Sequence, residues 1–287
     1  MTFRTRFAPS PTGPLHLGHA YSALLAQQMA ARHGGEFLLR VEDIDQSRAR
    51  RAWEAQIYDD LRWLGLTWPM PVMRQSDRLA TYHDALDHLW AAGLLYRCDC
   101  NRRDIAETLS APQEGAPLHG PDGLIYPGTC RTKHPRTGPR PQDHALRLDM
   151  GEATSAMTLR PYVETGLKPG EIAPDDPVRT IGDIVLARRD MGTSYHLSVV
   201  VDDAAQQITD VVRGVDLAAA TAIHVILQQL LELPTPRYHH HALIRDEAGK
   251  RLAKRDDARS LATYRAEGRT PDGIRAMIGL SPSDLTG

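Results

Sequence analysis

The sequence predicts an α/β fold organised on a parallel sheet. Three observations carry this: a strand-helix-strand pattern near the N-terminus, renewed strand and helix patterns after residue 190, and a Pro/Gly-rich stretch between them. The length of 287 residues suits one large domain or two smaller ones at about 150 residues each. Hydrophobic residues at 41% and charged ones at 24% exclude a disordered tail protein or a fibre.

Each element follows from local pattern. Thr2 to Phe7 reads as a short strand, broken by Ala8-Pro9-Ser10-Pro11-Thr12-Gly13-Pro14, which is too rich in proline to extend it. Tyr21, Leu24, Leu25 and Met29 then form the stripe of an amphipathic helix that stops at Gly34-Gly35. Phe37 to Val41 is a buried strand ending in the acidic cluster Glu42-Asp43-Ile44-Asp45, which completes a βαβ unit of right-handed connection. Helices are expected over about 49–64 and 79–92.

From Cys98 to Arg189 proline and glycine crowd the chain and apolar runs shorten, so 98–189 reads as an inserted irregular domain between the halves 1–97 and 190–240. Leu197 to Val201 and Ile208 to Val212 read as strands, and about 217–231 as a helix. The remainder, 241–287, holds a charged loop at 246–257 and two short helical patterns. His239-His240-His241 reads as a polar loop or strand, because adjacent side chains diverge and do not converge on one ion.

The net charge is −2, from 34 basic and 36 acidic residues, so composition gives no general reason for a polyanion partner. No run reaches the ~18 apolar residues of a membrane helix, and neither a span nor a signal peptide is expected. A cytoplasmic protein and no membrane partner are the expectation. Three cysteines, two of them in Cys98-Asp99-Cys100, argue against a disulfide framework and for metal binding. With Cys130 they suit zinc, in a structural role that holds together a stretch short of apolar residues. On general chemistry the fourth ligand is Cys or His, which makes Tyr126 unusual and His119 and His134 competitors.

Pro14-Leu15-His16-Leu17-Gly18-His19 opens a helix directly after the first strand, where free N–H groups and the C-terminal edge of a parallel sheet favour anions. Gly18 permits close approach of a nucleotide, and His16 and His19 can donate to developing phosphate charge. The longer string from Arg6 through His19 closely resembles the first signature of glutamyl-type class I aminoacyl-tRNA synthetases.

The resemblance implies a Rossmann-type, doubly wound catalytic domain that activates an amino acid with ATP, with Mg²⁺ accompanying the ATP. The second family signature resembles Arg251-Leu252-Ala253-Lys254-Arg255; it departs from the pattern at Arg251 and Ala253 but keeps Lys254 for the ATP phosphates, with Lys250 and Arg251 as supplements. His16, His19 and Lys254 are thus the expected catalytic residues, and with Gly18 the ATP-binding set. For glutamate, Arg6, Phe7, Ala8, Pro9 and Ser10 resemble the first contact segment, Glu42 the acceptor of the amino group, and Tyr195 and Arg213 later contacts. A dicarboxylic amino acid needs such guanidinium forks and at least one acid. Asp43, Asp45, Asp202 and Asp203 are left outside this set as residues that commonly cap helices and turns. The resemblance also favours Tyr126 as the fourth ligand beside Cys98, Cys100 and Cys130, through a Cys-x-Cys, Tyr-x3-Cys arrangement.

Family members of this type continue into a large helical anticodon-binding region, for which no length is left here. The truncated layout resembles the glutamyl-queuosine tRNA(Asp) synthetases. That implies tRNA-independent activation of L-glutamate and its transfer to queuosine in the tRNA(Asp) anticodon, by a monomer. Alternatives are a short glutamyl-tRNA synthetase charging the terminal ribose, and a non-catalytic RNA-binding paralogue.

Overall fold

The computed structural model describes residues 2–109, 119–155, 157–244 and 259–280. The first strand, β1 (Arg4–Phe7), ends where Pro9 and Pro11 withdraw backbone donors. Helix α1 (Leu17–Arg32) follows, then β2 (Glu36–Val41), parallel to β1 with Arg4 opposite Glu36 and Phe7 opposite Leu39. The expected stripe of α1 is only partly its buried face. Leu24 is buried, whereas Ala20, Ala23, Ala26 and Ala30 fill the contact with the sheet. These small side chains let the helix backbone come close enough for Thr5 Oγ1 to donate to the Ala26 carbonyl at 2.9 Å.

Helix α2 (Arg51–Trp63) leads to β3 (Met73–Arg74), which adds to β2 in parallel, and then to α3 (Leu79–Ala91) and β4 (Leu95–Cys98). The irregular stretch contains α4 (Arg102–Leu109), a hairpin of β5 (His119–Gly120) and β6 (Gly123–Leu124), β7 (Ala145–Leu148), α5 (Met150–Ser155), β8 (Tyr162–Glu164), β9 (Gly170–Ile172), α6 (Pro177–Thr180) and β10 (Val185–Ala187). Strand β7 runs antiparallel between β4 and β10. This stretch is tied into the rest of the molecule: Leu146, Leu148 and Ile184 share one core with Tyr82, Leu197 and Ile223.

Residues 197–201 are not a strand. They lie inside helix α7 (Tyr195–Ala205), whose N-cap Ser194 accepts from the Leu197 amide. Every residue from His196 to Asp203 is buried, so the helix has no polar face there to reveal its period, and a short apolar run alone cannot separate helix from strand. Strand β11 (Asp210–Gly214) follows, then a 3-10 turn over Val215–Leu217 and helix α8 (Thr221–Leu230), four residues later than the pattern suggests. Strand β12 (Arg237–His241) runs parallel to β11 and to β8, so His239 to His241 are strand residues. Helices α9 (Leu261–Ala266) and α10 (Pro271–Met277) supply the two short C-terminal patterns.

The two parallel ladders, β3-β2-β1 and β11-β12-β8, meet where β11 lies beside β1; the Thr209 amide donates to the Arg4 carbonyl at 3.0 Å. Chain connections leave this junction in opposite directions, the topological position at which open α/β sheets form a ligand crevice. Among the described residues no helix is long and apolar enough to cross a membrane.

Candidate active site

A cavity of about 650 Å³ opens over the junction, at the C-terminal ends of β1, β2, β11 and β12. Its walls include Arg6, Phe7, Ala8, Pro9 and Ser10 from β1 and its loop, His16, Gly18 and His19 at the start of α1, Glu42 after β2, Tyr195 on α7 and Arg213 on β11. The structure therefore brings together every residue expected for glutamate and nucleotide except Lys254, which lies outside the described residues, as do Lys250, Arg251 and Ala253. The residues flanking that segment border the same place: Ile244 lines the cavity, and Ser260 forms a β-bridge with His16.

The imidazoles of His16 and His19 are fixed by backbone amides. His16 is the N-cap of α1, where its Nδ1 accepts from the Gly18 amide at 3.1 Å, and the His19 Nδ1 accepts from the His16 amide at 3.2 Å. The rings stack with centroids 3.7 Å apart. Since both Nδ1 atoms are acceptors, the neutral rings carry their protons on Nε2. That tautomer supplies donors at a helix end already favourable to phosphate.

Beneath the cavity lies a charge network that local sequence does not reveal. Asp203 accepts from Arg6 Nε at 2.9 Å and Nη2 at 3.3 Å, and from Arg40 Nη1 at 2.7 Å. Arg40, fully buried, also donates from Nη2 to Glu42 at 3.1 Å. Burial works to raise the Asp203 carboxyl, but the two guanidiniums outweigh it and hold it below the ordinary range. For Glu42 burial wins over Arg40 and Arg6, and its carboxyl is raised. Its anion is under-compensated, as a receptor for an ammonium group should be.

Asp202 accepts from Arg78 at 2.7 Å, Tyr82 at 2.8 Å and Gln75 at 3.0 Å. Asp202 and Asp203 are thus anchors of the site floor and cap nothing, contrary to the expectation that set them aside. The readable signal was an acidic pair closing an apolar run, since a buried acid must find partners. Asp43 does serve a turn, accepting from the Ser76 amide at 2.8 Å.

Arg213 forms the opposite pole. It is 5% exposed and donates to Thr221 Oγ1 at 2.7 Å, His224 Nδ1 at 3.0 Å and His240 Nε2 at 3.2 Å, all uncharged acceptors. Among the described residues it enters no ion pair with a carboxylate. Burial and the adjacent Arg213 charge hold His224 well below the usual histidine range, hence neutral. A buried guanidinium without an anion is costly, so the cavity presents an unsatisfied demand for a carboxylate. His224, His240 and Thr221 were invisible as site residues because strand pairing and helix packing, not sequence proximity, bring them to Arg213.

The cysteines converge elsewhere. The sulfurs of Cys98, Cys100 and Cys130 lie within 4.8 Å of one another. The Tyr126 hydroxyl is 3.5 Å from Cys98 Sγ and 3.3 Å from Cys100 Sγ, and accepts from the Cys130 amide at 2.9 Å. His134 instead pairs with Asp99 at 2.7 Å, and His119 is not in the group. Burial pushes the Cys100 thiol up to about 11; at Cys130, bonds from Tyr126 and the Asp99 backbone overcome burial and bring the thiol down to about 7. Three sulfurs and an inward phenol make a compact donor set that can hold one metal ion.

The matching family model is that of class I tRNA synthetases (E and Q), catalytic domain, over residues 2–283. A glutamyl-Q tRNA(Asp) synthetase of Rhodobacter capsulatus is 63% identical, covering 96% of this chain and 99% of its own. Another, of Albidiferax ferrireducens, is 41% identical, covering 90% of this chain and 86% of its own. The solved glutamate-tRNA synthetase of Elizabethkingia anophelis superposes with a TM-score of 0.74 at 25% identity; it covers all of this chain, which spans 63% of that longer protein. The chain is an enzyme of the ligase class and belongs to the glutamyl-Q tRNA(Asp) synthetases within the class I (E and Q) tRNA synthetase family.

Proposed function

We propose that the enzyme activates L-glutamate with ATP, without needing tRNA for that step, and transfers it to the queuosine base in the anticodon of tRNA(Asp). The observation that carries the substrate is the pairing of poles in one cavity: a buried Arg213 with no carboxylate partner among the described residues, and a Glu42 carboxyl raised by burial. One end binds a side-chain carboxylate and the other an ammonium, so the α-carboxylate is left facing the nucleotide. Its oxygen attacks the α-phosphorus of ATP and pyrophosphate leaves. A hydroxyl of the queuosine cyclopentene ring then attacks the carbonyl carbon of the mixed anhydride and AMP departs.

Arg6, Glu42, Tyr195 and Arg213 hold glutamate beside the loop Phe7 to Ser10, while His16, Gly18 and His19 form the nucleotide side. Lys254 supplies charge to the phosphates, and Mg²⁺ enters with ATP. No covalent enzyme intermediate is needed; positioning and charge stabilisation supply the rate. The enzyme is read as a monomer. The reaction so read belongs to the cytoplasm, where ATP and tRNA occur together. The names of the relatives support the acceptor.

The deciding experiment pairs glutamate-dependent ATP–pyrophosphate exchange with transfer of labelled glutamate. Exchange without tRNA, and transfer to queuosine-bearing tRNA(Asp) but not to tRNA(Glu), is the expected result. Transfer to tRNA(Glu) alone would establish a short glutamyl-tRNA synthetase instead, and absence of exchange a non-catalytic paralogue.

The cysteine centre is read as one structural zinc held by Cys98, Cys100, Cys130 and Tyr126. Thiolates about 2.3 Å from a tetrahedral zinc stand about 3.8 Å apart. Cys100 and Cys130 already lie 3.5 Å apart. Metal analysis of the purified protein should return one zinc per chain. Cys130→Ser should lower zinc occupancy and Tm together, by roughly 5–10 °C at micromolar zinc. Full metal retention in that variant removes Cys130 from the ligand set.

A further inference from the structure

A second, smaller cavity of about 220 Å³ adjoins the first, sharing Arg188, Tyr195, Asp216 and Leu217 with it. Its volume is below the ~300–1,000 Å³ of sites that enclose a drug-sized ligand and suits a single five-membered ring. Val185, Leu217 and Ala220 give it apolar walls, while Asp122, from the turn between β5 and β6, and His196 give it a polar end.

That polar end is wired to Arg213. A guanidinium can only donate, so His224 Nδ1 accepts from Arg213 at 3.0 Å and neutral His224 carries its proton on Nε2. That proton goes to His196 Nδ1, 3.1 Å away, which leaves His196 Nε2 to donate to Asp122 Oδ1 at 3.3 Å. The relay fixes each tautomer in turn and delivers, at its far end, a carboxylate whose remaining capacity is for accepting. Asp122 is held by the relay and bordered by a cavity, without an arginine or lysine partner among the described residues. Paired hydroxyls on adjacent ring carbons are the natural donors for such a group, as a carboxylate reads the ribose hydroxyl in dinucleotide sites.

We infer that this second cavity is the acceptor subsite, in which Asp122 receives the vicinal diol of a five-membered ring on the RNA. The inference rests on the function proposed above and extends it to the residue that recognises the acceptor. The cyclopentenediol of queuosine and the 3′-terminal ribose share this chemistry. Asp122 is a positioning residue: it orients the hydroxyls, and activation of glutamate does not require it.

The test uses the full-length enzyme, with Asp122→Asn, which keeps an oxygen for His196 but loses the carboxylate, and Ala220→Leu, which fills the cavity. Exchange is measured without tRNA, transfer with tRNA(Asp) carrying queuosine or guanosine at the anticodon position and with tRNA(Glu), and equilibrium binding with each RNA. Both variants are expected to keep exchange within about twofold while transfer falls about 10- to 100-fold, in Asp122→Asn because a hydrogen bond to a charged group is lost and in Ala220→Leu because the added bulk excludes the ring. A fall confined to queuosine-bearing tRNA(Asp), with loss of its binding preference over the guanosine form, assigns the diol to the base. An equal fall with tRNA(Glu) assigns it to the ribose. Unchanged transfer with unchanged RNA binding overturns the inference, as does a parallel loss of exchange and transfer. If the wild type shows no exchange, the proposed function fails, and the binding arm still decides the subsite.

Discussion

Arg213→Met should raise the glutamate KM in pyrophosphate exchange by about 10²- to 10³-fold, the range for removing one member of a buried, hydrogen-bonded charge pair. Methionine fills similar space without charge or fork. In the free enzyme this guanidinium is buried against Thr221, His224 and His240, with no acid among the described residues to repay its desolvation. The apolar replacement relieves that desolvation but strands the buried acceptors of Thr221, His224 and His240, at about 1–3 kcal/mol each, so Tm should fall by a few degrees while glutamate binding collapses. Arg213→Lys should recover little, because a point charge cannot reproduce three donors directed at three fixed acceptors. A KM change below tenfold for Arg213→Met, with the protein folded, would remove Arg213 from the carboxylate pocket.

The second large effect lies under the floor of the site. Asp203→Asn removes the anion shared by Arg6 and Arg40, two residues at most 5% exposed. Breaking a buried pair in this way costs about 3–5 kcal/mol, because the cations stay behind. At roughly 2 °C per kcal/mol for a chain of this size, Tm should drop by about 6–10 °C. Exchange should suffer as well, since Arg40 also aims Glu42. The pH dependence has a definite sign. The Asp203 carboxyl is lower in the folded protein than in the unfolded chain, so its stabilisation is fully present above the unfolded value, about 3.9, and is lost as pH falls through the folded value. The acid limb of the stability profile should accordingly flatten in Asp203→Asn. A Tm within 2 °C of the wild type, on the order of 1 kcal/mol, would show that the guanidiniums find other partners.

What could be read along the chain were features carried by neighbours in sequence. Strand, proline-rich break, histidine-capped helix and strand lie within 41 residues, and each is set by its own residues: Pro9 and Pro11 end β1, His16 caps α1, and glycine stops it. The positions Arg6, Glu42, Tyr195 and Arg213 were accessible because each stands in or beside a recognisable short string. The alanine face of α1 was not, because its value is proximity to the sheet and not hydrophobic bulk. Helix α7 was misread as a strand for the opposite reason, as burial on every side erases the alternation by which a period is recognised.

By itself the sequence determined the α/β class, the family, the residue types that a dicarboxylic amino acid would need and the trio of cysteines. Only the tertiary structure decided how the charges are distributed among them. Arg6, by name a substrate anchor, shares Asp203 with Arg40 across 197 and 163 positions of chain, whereas buried Arg213 has no carboxylate partner among the described residues. The physical reason is that the energy of a buried charge depends on every other charge within a few ångströms in low dielectric. Those neighbours come from strands and helices remote in sequence, and only the packing of β1, β2, β11 and α7 places them within reach.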